Sequence, residues 1–541
     1  MEATRESPVF NSAPRLAGET LDETRARPSR AAETFRRNYS SPFLLAGSAE
    51  GLNELSRMLA KTTDAALRAH RFAGPLPVGS SAEVLASAAS LLGPAELPNH
   101  GVGTDAALAS IATVLVGHGL DLSHPHAAAH LQPPPLTIAV VADALASASN
   151  ASLDTYDSGP SAIAVERWLI GVLARLARLG PHADGVLTPG GSMSNLLGLL
   201  LARDTAALRC GVDARREGVA ALPKPRVFCS ELAHFSVHRA CAALGLGEDA
   251  VCAVATDERR RMRASALEDA LRAMGPGETP LAVVATAGTT DFGTFDPLQE
   301  IAAIAKERSI WLHVDAAYGF GALFSDRLAA HMDNIGLADS ITLDLHKLGW
   351  QPAAASVLLV ADHAVFAALD REVAYLNPRD DAEAGLSGLL GRSLQTTRRP
   401  DAIKIAATLL AYGRRGLGGM VDICHELARY AEQRIRREPD LEIVSPAELT
   451  TVVFRYRCLA RVGDGDFTDQ INGSIRRTLL ETGRALIGRT AVRLASDGSR
   501  HRVCLKLTLL NPNATREDMD AIVEAVVRAG RAAERGEERV A

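Results

Sequence analysis

The feature that most restricts the fold is an alternation that begins at Gly185. Seven short apolar runs follow one another: GVLT (185–188), RVFCS (226–230), AVCAVA (250–255), LAVVATAG (281–288), IWLHVDAA (310–317), SITLDLHK (340–347) and ASVLLVA (355–361). Between them lie stretches with helical spacing, such as NLLGLLLARDTAALR and PLQEIAAIAKERS. Strands that are apolar on both sides need cover on both faces, and the intervening helices supply it. The pattern predicts an α/β fold with a mainly parallel seven-stranded sheet.

At 541 residues the chain exceeds what one hydrophobic core holds, so further lobes are expected. Residues 1–42 are polar and proline-punctuated and read as a mobile arm. Helical patterns such as LNELSRMLAKTTDAALRAHR (52–71) and TDAALASIATVLVGHG (104–119) place a helical segment over 43–135, which ends in a proline-rich joint, LSHPHAAAHLQPPPL (122–136). The large domain then spans 136–415. Over 416–541 the strand-like runs LEIVSP, TTVVFRYR, AVRLAS and VCLKLTLL and a terminal helix suggest a small α+β domain.

Composition excludes several classes. A net charge of −6 gives no broad attraction to nucleic acid or anionic membrane. No apolar run reaches the roughly 18 residues of a membrane span. The seven cysteines form no CxxC pair and their number is odd, which favours a reducing, cytoplasmic setting without a disulfide framework. Glu2, Glu6, Glu19, Asp22 and Glu23 argue against a transit peptide.

Three features fall at the ends of the predicted strands, where α/β proteins place ligands. The run Thr188-Pro189-Gly190-Gly191-Ser192 leads from a strand into an apolar helix. Its glycines admit a ligand close to the backbone, and the helix start offers free N–H groups to a phosphate; a plain strand-to-helix turn would look the same. Asp315 follows an apolar strand and precedes Ala316 and Ala317; it fits a structural cap, a metal ligand or the partner of a ligand cation. Lys347 closes a β-type run directly after His346; it is either a surface lysine or one placed for Schiff-base chemistry. An anion cradle, a carboxylate and a His-Lys pair, in this order, match the phosphate, ring nitrogen and aldehyde carbon of pyridoxal 5′-phosphate.

The segments TPGGSMSN (188–195), SELAHFSVHRA (230–240), ATAGTT (285–290), HVDAAYG (313–319) and DSITLDLHK (339–347) resemble the group II pyridoxal-phosphate-dependent amino-acid decarboxylases, over roughly residues 45–530. The resemblance implies fold type I, the aspartate aminotransferase-like fold. It implies that Lys347 forms the Schiff base and that His346 precedes it, that Asp315 keeps the pyridine nitrogen protonated, and that His234 stacks on the ring. It further implies that Gly191 and Ser192 hold the phosphate with help from Asn195 and, indirectly, Asp344, that Thr286 lies near the cofactor, and that Ala317 packs against the ring. The activity implied is loss of CO2 from an L-amino acid to leave the amine, in a homodimer whose N-terminal helices wrap the partner.

SHPHAAAHLQPPPL (123–136), RSLQTTRRPDAIK (392–404) and LTLLNPNATREDM (507–519) are similar to a narrower branch, the bacterial 2,4-diaminobutyrate and siderophore-assembly decarboxylases. That likeness implies a diamino acid as substrate and 1,3-diaminopropane as product, and a proline-rich segment along the substrate entrance, with His124, His126 and His130 holding no metal. One departure stands out. Aromatic amino-acid decarboxylases carry a tyrosine on a mobile loop, whereas DDAEAGLSGLLGRS (380–393) has none and Tyr375 precedes it. An aldehyde synthase or a carbon–carbon lyase of the same fold is therefore the rival activity, and a PLP-fold binding or assembly subunit the non-enzymatic one.

Overall fold

The structure is a computed structural model that describes residues 45–459, 461, 463–494 and 500–536, so the arm expected over 1–42 lies outside the described residues. The chain divides into two compact units, Met1–Glu54 and Leu55–Ala541. Of the first, a short turn in which Ser48 Oγ accepts from the Gly51 N–H at 2.9 Å is described. Helices α1 (Ala49–Ala69), α2 (Ser81–Ser90), α3 (Thr104–Ala112) and α4 (Thr137–Ser149) come first along the chain. Their surroundings in the second unit leave large apolar side chains in solvent, among them Leu67, Phe72, Leu85 and Leu97.

All seven runs foreseen from the alternation become strands of one sheet. With β1 (Ala127–Ala128) preceding them, they are β2 (Asp184–Thr188), β3 (Pro225–Ser230), β4 (Val251–Val254), β5 (Thr279–Thr286), β6 (Trp311–Asp315), β7 (Ser340–Asp344) and β8 (Ser356–Val360). The order is β2-β8-β7-β6-β5-β3-β4. Strand β8 runs antiparallel to both its neighbours and every other pair is parallel, so β2, β3, β5, β6 and β7 all end at the same edge.

The strand period explains why these runs are apolar throughout. In β5, Val283 and Ala285 enter one core while Ala282 and Val284 enter the core on the opposite face. The first core is closed by α5 (Pro160–Leu176), through Leu169, Ile170 and Leu173. The second is closed by α6 (Gly191–Arg209) and α7 (Ser236–Ala243), through Leu197, Leu200, Leu201 and Val237. Each such side chain contributes about 1.5–3 kcal/mol on burial, which is why a polar residue in the middle of this sheet needs a specific reason to be there.

The C-terminal lobe has a second sheet, ordered β1-β11-β12-β10-β9, from β9 (Leu441–Ser445), β10 (Thr451–Tyr456), β11 (Leu486–Arg493) and β12 (His501–Thr508). Helix α8 (Ala402–Arg436) reaches this lobe from the large domain and departs from helical geometry at Gly413, whose φ is +59°. Left-handed backbone of this kind suits glycine, which has no Cβ to clash. Strand β1 was not foreseen. The proline-rich segment lays Ala127 and Ala128 parallel to Leu486 and Ile487, and Asn511 Nδ2 donates to the Ser123 carbonyl at 2.9 Å. The joint is thereby fixed to the edge of the small sheet.

Candidate active site

Five strand ends build one cavity of about 270 Å3. After β2 the chain turns through Gly190 and enters α6 at Gly191, so the first N–H groups of a 19-residue helix face the cavity edge. Gly191 leaves room here for a carboxylate, because a Cβ would lie 2.8 Å from Asp344 Oδ2. After β3 the chain places His234. Strand β5 ends on Thr286, β6 on Asp315 and β7 on Asp344, with His346 and Lys347 immediately beyond. Gly288, at φ +94°, lets this loop touch the backbone of Gly319, which a Cβ would approach to 2.5 Å.

The cavity is lined by Gly191, Ser192, Asn195, His234, Thr286, Asp315, Ala317, His346 and Lys347, the nine residues singled out from sequence, together with Gly190, Gly288, Thr290, Tyr318 and Asp344. Residues up to 157 positions apart, Gly190 and Lys347, thus line one cavity.

Lys347 Nζ lies 3.1 Å from Asp344 Oδ2, and His346 Nε2 lies 3.5 Å from the same oxygen. Burial holds His346 below its ordinary range, against the pull of Asp344, and burial does the same to His234, against the pull of Asp315. Both rings are therefore neutral at pH 7. Asp315 accepts from Asn195 Nδ2 at 2.8 Å and from the Ala317 N–H at 3.1 Å, which aims its carboxylate along the cavity floor.

Asn195 differs from its expected role. One amide hydrogen goes to Asp315, the other to Ser236 Oγ at 2.9 Å, and its carbonyl faces His313 Nε2 at 3.0 Å. With its side chain fully engaged it cannot also grip a phosphate at the turn; it reaches the cavity floor through Asp315. Asp344, expected on the phosphate side, stands between Gly191 and Lys347. Tyr375 is 82% exposed and is not among the residues lining this cavity.

Sequence reasoning missed Ser236, Ser340, Tyr318 and the part played by His313. The hydroxyl of Tyr318 bonds Thr450 Oγ1 at 2.7 Å and Thr451 Oγ1 at 2.9 Å, tying the cavity wall to the start of β10. Burial pushes this hydroxyl up to about 12, so it stays protonated. A tyrosine inside HVDAAYG was a visible signal; its partners some 130 residues away were not.

Three buried polar atoms along the cavity have no hydrogen-bond partner: Thr286 Oγ1, Asp344 Oδ1 and His346 Nδ1. Orphaned polar atoms are rare because each costs about 1–3 kcal/mol. Their gathering at one cavity, beside a helix N-terminus and a half-satisfied lysine, fits a polar, phosphorylated aromatic ligand. Such a fold and site define a protein that binds a flat, anionic, carbonyl-bearing cofactor at the ends of its strands.

Comparison with known proteins agrees with the geometry. Residues 89–457 match the pyridoxal-dependent decarboxylase conserved domain. An L-2,4-diaminobutyrate decarboxylase of Rhizobium meliloti (strain 1021) is 42% identical over 431 residues, covering 80% of this chain and 83% of that protein. One from Acinetobacter baumannii is 34% identical over 462 residues, covering 83% and 88%. Among solved structures, the glutamate decarboxylase domain of a Vibrio parahaemolyticus protein described as diaminobutyrate-pyruvate transaminase and L-2,4-diaminobutyrate decarboxylase superposes with a TM-score of 0.79. It is 29% identical and covers 92% of this chain and 99% of its own. The chain belongs to the pyridoxal-dependent decarboxylase family. Its cofactor is pyridoxal phosphate and it is a carboxy-lyase acting on an amino acid. Among the described residues, no helix is long and apolar enough to cross a membrane.

Proposed function

We propose that the chain removes the α-carboxylate of L-2,4-diaminobutyrate, leaving 1,3-diaminopropane, with Lys347, Asp315 and His234 as its catalytic residues. The observation that carries the site assignment is the convergence of Lys347, Asp315 and the Gly190–Ser192 turn on one cavity. The substrate rests on the relatives at 42% and 34% identity that bear this activity in their names.

Pyridoxal phosphate, when bound, supplies a reactive carbonyl and a ring that takes up the electron pair left by departing CO2. The chain supplies position and charge. The N–H groups at Gly191 and Ser192, with the Ser192 hydroxyl, hold the phosphate at the start of α6. Asp315 holds a proton on the ring nitrogen. Ala317, small and buried, would leave room for the ring, and His234 would stack on it. Lys347 Nζ would form the covalent link to the cofactor's carbonyl carbon, and Asp344, 3.1 Å away, positions that amine. Thr286 Oγ1, buried without a partner at the cavity, would be available to a polar group of the ligand. Holding the carboxylate bond perpendicular to the ring is what favours loss of CO2 over other bonds.

A homodimer accounts for the apolar side chains exposed around α1 to α3, a surface that a single soluble copy rarely leaves bare. A cytoplasmic site accords with seven cysteines that form no CxxC pair, five of them buried, and siderophore assembly is the pathway type we assign by likeness to the branch. One observation favours a second reading: with no tyrosine in 380–393 and Tyr375 in solvent, an aldehyde-forming side reaction is the main competitor.

The test is an absorbance spectrum with added pyridoxal phosphate, followed by CO2, amine, aldehyde and peroxide measured over a panel of amino acids. Equal CO2 and diaminopropane from 2,4-diaminobutyrate supports the proposal. Aldehyde with peroxide would replace it with the second reading, and CO2 from a different amino acid would refute the substrate. Sedimentation as a 57 kDa species would remove the dimer.

A further inference from the structure

Behind the cavity floor lies a buried polar row that the reaction as described does not use. Trp311 Nε1 donates to Ser340 Oγ at 2.8 Å, and Ser340 Oγ lies 2.7 Å from His313 Nδ1. His313 Nε2 is 3.0 Å from Asn195 Oδ1. Asn195 Nδ2 donates to Ser236 Oγ, and Ser236 Oγ is 2.8 Å from His234 Nδ1. His313 and Ser340 have no exposure at all, and Asn195 and Ser236 have 1%. None of them is open to bulk water.

The direction of every proton in this row follows from groups that have only one role. The Asp315 carboxylate can only accept, so the Asn195 NH2 must face it and the Asn195 carbonyl must face His313. His313 Nε2 therefore carries hydrogen, with Thr342 Oγ1 as a distant second neighbour at 3.4 Å. Burial pushes His313 down to about 4, so the ring is neutral and Nδ1 is bare. Ser340, which already accepts from the Trp311 indole, gives its hydrogen to that nitrogen. At the other end the Ser236 backbone N–H, which can only donate, points at His234 Nδ1 from 3.3 Å. His234 Nδ1 is therefore also bare, and its hydrogen sits on Nε2. Among the described residues nothing bonds Nε2, on a ring that lines the cavity. The His313 ring is held in place as well: a Cβ on Gly198 of α6 would come within 2.7 Å of its Cε1.

We propose that His313 is a positioning residue that touches neither substrate nor cofactor. By donating to the Asn195 carbonyl, with Ser340 and Trp311 behind it, it holds that amide with its NH2 toward Asp315 and Ser236. The inference rests on the roles proposed above for Asp315 and His234.

The test is a long-range 1H–15N correlation spectrum of the histidine-labelled full chain, with and without pyridoxal phosphate. Both His234 and His313 are expected to be protonated at Nε2 with Nδ1 bare. A proton on Nδ1 of either ring overturns the proposal, with no variant needed. His313→Leu keeps bulk but cannot donate to Asn195. It is expected to leave His234 protonated at Nε2, where the Ser236 N–H fixes it, and to weaken pyridoxal-phosphate binding about tenfold or more. His313→Gln can donate to Asn195 and accept from Ser340, and is expected to bind within about threefold of wild type. Unchanged affinity in His313→Leu, or failure of the glutamine to rescue, overturns it. Should the leucine variant not fold, Ser340→Ala is read in the same way. The tautomers are measured without cofactor, so correct tautomers in a chain that binds no pyridoxal phosphate would refute the roles of Asp315 and His234 while leaving the row standing.

Discussion

Two lysines are withdrawn from solvent in the large domain, and they are finished differently. The Lys404 side chain is 1% exposed, and its ammonium meets Asp401 Oδ1 at 3.1 Å, Asp143 Oδ1 at 3.2 Å and the Ala353 carbonyl at 3.3 Å. Three donors have three acceptors. Lys347 is 17% exposed and meets one partner, Asp344 Oδ2; the second oxygen of that carboxylate has no partner. Burial therefore does not distinguish a lysine that does chemistry from one that holds the fold. Unspent hydrogen-bonding capacity does, because a saturated ammonium has no reason to leave its partners and a half-satisfied one beside a cavity is available to a ligand.

The largest expected effect tests that distinction directly. Lys347→Ala should lower CO2 release by on the order of a thousandfold or more and abolish the visible absorbance of the loaded protein. Lys404→Met should keep the absorbance. A Lys347→Ala protein that retained both signals would remove the comparison altogether.

Acid separates the two regions by window. His313 is depressed from an ordinary 6.5 to about 4 by burial behind the cavity. The unfolded chain then takes up a proton that the folded chain refuses. The stability present above pH 6.5 is lost as pH falls toward about 4, by on the order of 3 kcal/mol. Around Lys404, burial works against ionisation of Asp143, but Arg399 and Lys404 hold its carboxyl below the ordinary 3.8. That stability is present above 3.8 and disappears only in stronger acid. Asp296, pushed by burial up to about 6, acts in the opposite sense, since the folded chain takes its proton first. The measurement that isolates His313 is therefore a difference: urea unfolding of wild type against His313→Gln from pH 7 to 4. The gap should close in favour of the variant as pH falls, and a constant gap would mean that His313 is not held neutral.

Lys404→Met comes next in size. It strands Asp143 and Asp401, but Arg399 still faces both, so the loss should be about 2 kcal/mol, short of the 3–5 of a fully stranded buried charge. Chemical denaturation measures it. A more stable variant would mean that Lys404 is a desolvation cost rather than a clamp.

How much of this was legible beforehand differs by length scale. The seven strands could be read because a strand buried on both faces must be apolar at every position, a local property. Lys347, Asp315 and the glycine turn could be read because each sits at a strand end, and their meeting followed from the topology. The engagement of Asn195 could not, since its partners are 41, 118 and 120 residues away and only satisfied geometry reveals them. Nor could β1, because two alanines carry no periodicity. Lys404 looked like an ordinary helix lysine in DAIKIAATLL; nothing in its own segment names Asp143.

The smallest effect concerns the wall that keeps Lys347 half-satisfied. A methyl group at position 191 would lie 2.8 Å from Asp344 Oδ2 and 3.0 Å from Oδ1, too close for either to stay. Gly191 is not at positive φ, so Gly191→Ala strains contacts rather than backbone. The carboxylate must shift away from the turn and from Lys347, and the methyl also crowds the helix start that receives the phosphate. Pyridoxal-phosphate affinity should fall about tenfold while the melting temperature changes little, since alanine favours the helix by roughly what the crowding costs. Fluorescence titration of the cofactor measures the first and a thermal scan the second. Unchanged affinity would mean that Asp344 is free to move, and that Lys347 owes its availability to the open cavity alone.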